Sequence, residues 1–151
     1  QITDQNNSKS FGTQLEWRPG EHTLLNWNTF LGNERSAIDS VNGLRSFSDV
    51  FMIYQKNKWS LTSCLYAGRQ ATGKQPRFWW QANVIAKYQV TPQLSLAGRL
   101  EYFQDDDGVV VVPQEHARQF RTFGSSIGVN INPEKNILFR GELRQFFSTE
   151  D

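Results

Sequence analysis

The segment Trp80–Tyr102, WQANVIAKYQVTPQLSLAGRLEY, decides how the chain is read. Trp80, Ala82, Val84, Ala86, Tyr88 and Val90 fall on one side of an alternating pattern, with Gln81, Asn83 and Lys87 on the other. After Thr91-Pro92-Gln93 the pattern resumes: Leu94, Leu96, Gly98, Leu100 and Tyr102 oppose Arg99 and Glu101. A side-chain period of two belongs to a β-strand, and no long window carries the i, i+3, i+4, i+7 apolar spacing of a helix. Two such runs around a short proline turn predict an antiparallel hairpin.

The same pattern extends to both sides. Phe11, Thr13, Leu15 and Trp17 oppose Gln14 and Glu16; Pro19-Gly20-Glu21 breaks the chain; Thr23, Leu25, Trp27, Thr29 and Leu31 then oppose Asn26, Asn28 and Phe30. Ser46 to Tyr54, Trp59 to Ala67, Phe123 to Ile131 and Ile137 to Leu143 repeat it. The reading is about eight strands of about ten residues each, the length that crosses a bilayer at a tilt. Connections alternate too. Short turns are expected at Pro19-Gly20, Gln55–Lys58, Thr91–Gln93 and Pro133–Lys135, and longer polar loops at Gly32–Gly43, Arg69–Arg77 and Gln104–Arg118.

Composition sets the bounds. The chain has 151 residues, enough for one domain, and 16 Lys+Arg against 15 Asp+Glu give a formal charge of +1. That balance offers no basic face for nucleic acid. The single cysteine, Cys64, excludes an internal disulfide and a Cys-based zinc site. Mean hydropathy is -0.57, and no apolar run approaches the ~18 residues of a transmembrane helix. A transmembrane β-barrel escapes that test because only every second residue meets lipid. The chain opens Gln1-Ile2-Thr3-Asp4 with no leader pattern and ends in polar residues, so the expectation is a processed chain or a piece of a longer one.

Aromatic placement favours the membrane. Trp17, Tyr54, Trp59 and Tyr88 lie beside short turns on the apolar face, where they would form one ring at one height; Phe11, Trp80, Tyr102 and Phe123 take that face at the opposite strand ends. Two aromatic belts flanking a Leu/Val/Ile/Ala band describe a lipid-facing surface with interfacial girdles. The other face carries Glu16, Asn28, Asp49, Lys87, Arg99, Glu101, Arg140, Glu142 and Arg144, which in a barrel would line the lumen. The alternating signs of Arg99-x-Glu101 and Arg140-x-Glu142-x-Arg144 suit a cross-strand ion-pair lattice or a hydrated wall with weak charge selectivity.

Several segments resemble the OmpL-like β-barrel porin family of Gram-negative outer membranes. They are Asn6–Gly12, Leu25–Glu34, Asp49–Tyr54 and, most specifically, Leu96-Ala97-Gly98-Arg99-Leu100-Glu101-Tyr102-Phe103-Gln104-Asp105-Asp106-Asp107-Gly108, similar to the family's R-x-E-Y-F-x-D-x-D-G strand and loop start. The resemblance covers nearly the whole chain and implies passive diffusion of small solutes, with Arg99 and Glu101 matching the family's charged inward pair. Family members are longer and close on a C-terminal aromatic strand, so the resemblance implies a segment of a larger barrel or a short relative.

Other chemistry fares worse. His22 and His116 fall at opposite rims of the expected strands, too far apart to share a metal or act as a catalytic pair. Asp105-Asp106-Asp107-Gly108 offers clustered carboxylates but not the spacing of an EF-hand, and reads as a solvated turn. Gly68–Lys74 lacks Walker spacing. Val109–Val112, an apolar run in a loop, would fold into the lumen or extend a strand pair above the membrane. The sequence therefore predicts an all-β, antiparallel up-and-down transmembrane barrel over residues 1–151, standing alone or as part of a larger one. It would be an outer-membrane porin-like protein with lipid and small solutes as partners, no catalysis, no cofactor and no metal. The alternative is a soluble calycin-like barrel burying its Leu/Trp face around a small apolar ligand.

Overall fold

The computed structural model describes residues 9–35, 42–72, 75–111 and 119–149. They form β1 (Phe11–Gly20), β2 (Thr23–Arg35), β3 (Asn42–Lys56), β4 (Trp59–Thr72), β5 (Gln75–Gln89), β6 (Leu94–Asp105), β7 (Phe120–Glu134) and β8 (Ile137–Thr149). Every strand pairs antiparallel with its neighbour in sequence, giving one eight-stranded sheet in the order β1 to β8. The up-and-down order follows from the turns. In the β3–β4 turn, Asn57 takes a positive φ of 55°, a conformation that asparagine tolerates better than most residues. Pro19 and Pro133 sit within register shifts at strand ends, where a missing N–H costs no regular ladder bond.

The strands outrun their hydrophobic pattern. Where a loop is expected over Gly32–Gly43, β2 continues to Arg35 and β3 begins at Asn42; where one is expected over Arg69–Arg77, β4 reaches Thr72 and β5 starts at Gln75. Polar residues occupy both faces there, so alternation disappears while the main-chain ladder continues unaffected. Only residues 73–74 separate β4 from β5, so this connection is as short as the turns at the other rim. The Gly73-Lys74 part of the expected loop lies outside the described residues.

The sheet is not closed: β1 and β8 are its two edges. Its faces differ sharply in exposure. Leu143 is 73% and Ile127 68% exposed, while Asn26, Gln70, Ser95, Asp105 and Asn130 on the opposite face are buried. In a single layer, curvature makes this difference, because side chains on the concave side crowd one another. The polar face is therefore concave and the Leu/Trp face convex, the reverse of a calycin-like core. Among the described residues, the buried apolar side chains are Trp79 and Val109.

Trp17, Tyr54, Trp59, Tyr88, Trp80 and Tyr102 all fall on the convex face. They do not share one ladder row. Trp17 aligns through Leu25 and Met52 with Ser63, and Trp59 lies four residues nearer the turns. At the other end, Tyr102 aligns through Ala82, Leu65, Val50 and Trp27 with Leu15, four residues from Phe11. Both belts step in the same sense, by four residues over three strand spacings in one and over five in the other, the direction that strand tilt produces.

This placement ranks substitutions by depth. Leu100 lies between the belts, whereas Leu96 lies level with Tyr88. On refolding into phospholipid vesicles, Leu100→Arg is expected to cost about 2–4 kcal/mol and Leu96→Arg about 0–1 kcal/mol. Arg99→Leu, on the concave face, should be better tolerated than Leu100→Arg, as read from denaturant titrations.

Candidate functional site

Glu16, Asn28, Asp49, Lys87, Arg99, Glu101, Arg140, Glu142 and Arg144 all occupy the concave face, set there by strand parity. The structure joins some of them directly. Asn28 Nδ2 donates to Asp49 Oδ1 at 2.7 Å between β2 and β3. Arg144 on β8 forms an ion pair with Glu101 on β6, reaching across β7. Gly124 makes that reach possible: a Cβ there would collide with the Glu101 side chain. The sequence motif thus pairs Glu101 with a cation two strands away, not with Arg99 on its own strand. Arg140 Nε donates to Asn130 Oδ1 at 2.7 Å, and Asn130 Nδ2 to Ser95 Oγ at 3.3 Å. Glu16 instead binds Arg18 on its own strand, at 2.9 Å. Asn26 Oδ1 is buried without a protein partner among the described residues, the kind of group that a bound water satisfies.

Toward the loop end the same face changes character, which the sequence reading missed. Phe30, Phe47, Tyr66 and Trp79 share the concave parity with the charged residues. Phe47 and Tyr66 rings lie 5.3 Å apart at 47°. The Trp79 indole lies over Gly68, where any Cβ would occupy its place. Arg45 covers Trp79 with its guanidinium 5.4 Å from the ring centre. Arg45 Nε and Nη2 donate to Gln70 Oε1 at 3.0 and 2.6 Å, and fully buried Gln70 donates to the Glu34 carbonyl at 2.8 Å. The available signal was parity itself, since Phe30 and Phe47 interrupt otherwise polar faces.

The solvated-turn reading fails for Asp105, whereas Asp106 and Asp107 do form a turn and Asp107 is exposed. Asp105 is wholly buried, and its carboxyl oxygens accept the N–H groups of Val109, Val110 and Val111 at 2.9, 2.7 and 3.0 Å. Gly108, at φ 62°, supplies the left-handed residue that bends the chain back over Asp105. Asp106 receives Arg121 Nε and Nη2 at 2.8 and 2.7 Å. Asp107 accepts the Phe78 N–H at 3.1 Å. Each carboxyl group has a separate structural task, and together they turn the loop inward: Val109 is buried and Val110 meets the aromatic cluster. Val109–Val111 thus fold back over Asp105 toward the concave face, and Val112 and His116 lie outside the described residues. His22 sits beside the β1–β2 turn, its carbonyl accepting Gln55 N–H at 2.8 Å.

On the convex face, the belt aromatics pair across strands. Trp59 and Tyr88 centroids are 4.7 Å apart, and those of Trp80 and Tyr102 are 5.0 Å apart. Trp80 Nε1 and Tyr102 OH both donate to Gln104 Oε1, at 3.2 and 3.3 Å. Apolar bodies on the band with polar tips toward the rim suit a boundary between oil and water.

A family model described as "Putative beta-barrel porin-2, OmpL-like" matches residues 1–151. Comparison with curated proteins and with solved structures gave no match.

Two outcomes test the loop. Asp105→Ala leaves three N–H groups without their acceptor, so amide exchange at Val109–Val111 should accelerate at least tenfold while exchange in β6 and β7 stays slow. Hydrogen bonds from Arg121 hold the Asp106 carboxyl below its ordinary value, against the opposing effect of burial. The pair therefore stabilises the fold fully above the ordinary carboxyl range near pH 4, and that contribution is lost as pH falls through the lowered folded-state value. Arg121→Gln should lower the melting temperature at pH 7, with the gap from the parent closing only below about pH 4.

Proposed function

Because the chain belongs to the putative β-barrel porin-2, OmpL-like family, we propose that its strands form part of the wall of an outer-membrane channel through which small solutes diffuse passively. The observation that carries this reading is the pairing of an exposed apolar convex face with a polar, cross-linked concave face in a sheet whose two edges are open. In hydrocarbon, unpaired edge N–H and C=O groups each cost several kcal/mol, so β1 and β8 require partner strands. A barrel that closes on eight strands fills its interior with its own side chains, whereas water-filled channels use about 16 or more. The described sheet supports the wider arrangement: it spans β1 to β8 without the edges meeting, and the ion pairs lie along the wall. The concave residues then face water. The role is transport, the setting the Gram-negative outer membrane, and no step of chemistry is assigned to the charged residues.

The test is single-channel recording of the intact protein in a planar bilayer. Stable conductance steps are expected, with weak charge selectivity because Glu101 and Arg144 neutralise each other. Arg144→Gln leaves Glu101 unpaired and should shift reversal potentials toward cation preference. A folded, inserted protein that gives no steps would sink the channel reading.

A further inference from the structure

The loop-end cluster forms a hollow of about 560 Å³ against the concave face, within the size range of small-molecule sites. Phe30, Phe47, Tyr66, Trp79 and Val110 line it, and it is broadly open to the outside. Burying the loop against the wall uses Val109 and Trp79 and leaves Phe30, Phe47 and Tyr66 partly open, on a face that is otherwise polar. Arg45 and Glu34 complete the lining. Gln70 and the Arg35 carbonyl hold Arg45 in place through Nε and Nη2, while Nη1 makes no hydrogen bond among the described residues and is left as a donor.

We propose that this hollow is a binding subsite for neutral sugar rings on the path of permeating solutes, an inference that rests on the channel reading only for that path. The chemistry selects the class. Partly open aromatic faces offer dispersion contact to the C–H face of a ring. The Arg45 guanidinium and Glu34 carboxyl group can meet its hydroxyls. A wholly apolar solute would strip water from Arg45 and Glu34 without replacing it, at a cost. An anion gains little, because Glu34 and Asp105 both lie within electrostatic reach of Arg45 and offset its charge.

The experiment titrates the intact protein, in detergent micelles, with maltose, sodium benzoate and phenol. Binding is read by tryptophan fluorescence and calorimetry, and channel current is recorded separately in bilayers. Maltose should give a saturable signal that Tyr66→Ala and Phe47→Ala each weaken at least tenfold, with the far-ultraviolet circular dichroism unchanged. Val110→Trp, which adds bulk to the hollow from an exposed lining residue outside the strands and leaves the wall intact, should abolish binding even if the wall variants misfold. No saturable response to maltose, tighter binding of benzoate or phenol, or undiminished binding by Val110→Trp would each overturn the proposal. Conductance without maltose binding removes the subsite and leaves the channel; maltose binding without conductance does the reverse.

Discussion

The main-chain hydrogen bonds of the antiparallel ladders hold this chain together, because almost no apolar core exists to do so. Trp79 and Val109 are the buried apolar side chains among the described residues, and many large apolar residues of the convex face are exposed. A chain that exposes Leu15, Trp27, Leu100, Ile127 and Leu143 cannot draw its stability in water from burying them. In a bilayer the same residues need no burial, and the backbone becomes the group that must be satisfied. Each interior strand meets that demand on both sides through its neighbours, while β1 and β8 meet it on one side only. The exposed apolar face is consistent with that constraint, and the open edges are the places where it calls for further pairing.

The concave face is organised by what is absent as much as by what is present. Gly124 leaves room for Glu101 to cross β7 and reach Arg144, and Gly68 leaves room for the Trp79 indole. Each vacancy lets one long side chain lie along the wall. The middle of the face becomes a set of polar cross-links, and the loop end an aromatic cluster that Val110 adjoins. Asp105 joins the two regimes: a carboxyl group at the end of a strand becomes the acceptor that fixes the loop.

Much of this was legible in the sequence. Period-two alternation marks each of the eight strands, and parity places Arg99, Glu101, Arg140, Glu142 and Arg144 on one face opposite Trp17, Trp59 and Tyr102. The strand ends were less legible. Around Glu34, Arg45 and Arg69–Arg77 both faces are polar, so the hydrophobic signal stops while the ladder continues. Asp105-Asp106-Asp107 read as one hydrated cluster because adjacent carboxyl groups look alike in one dimension. Three separate partners, the valine amides, Arg121 and the Phe78 amide, distinguish them in space.

The sequence by itself determined about eight strands, the hairpin pairings across the short turns and the face on which most side chains lie, because alternation is a local property and a short turn leaves two successive strands only one another to pair with. Tertiary structure decided the rest: that the apolar face is convex, that Glu101 pairs with Arg144 and not Arg99, that the valine loop turns inward, and that Phe30, Phe47, Tyr66 and Trp79 meet. Each of these depends on the distance between residues on different strands, set by register and curvature. Those are properties of the whole sheet, and no single strand encodes them.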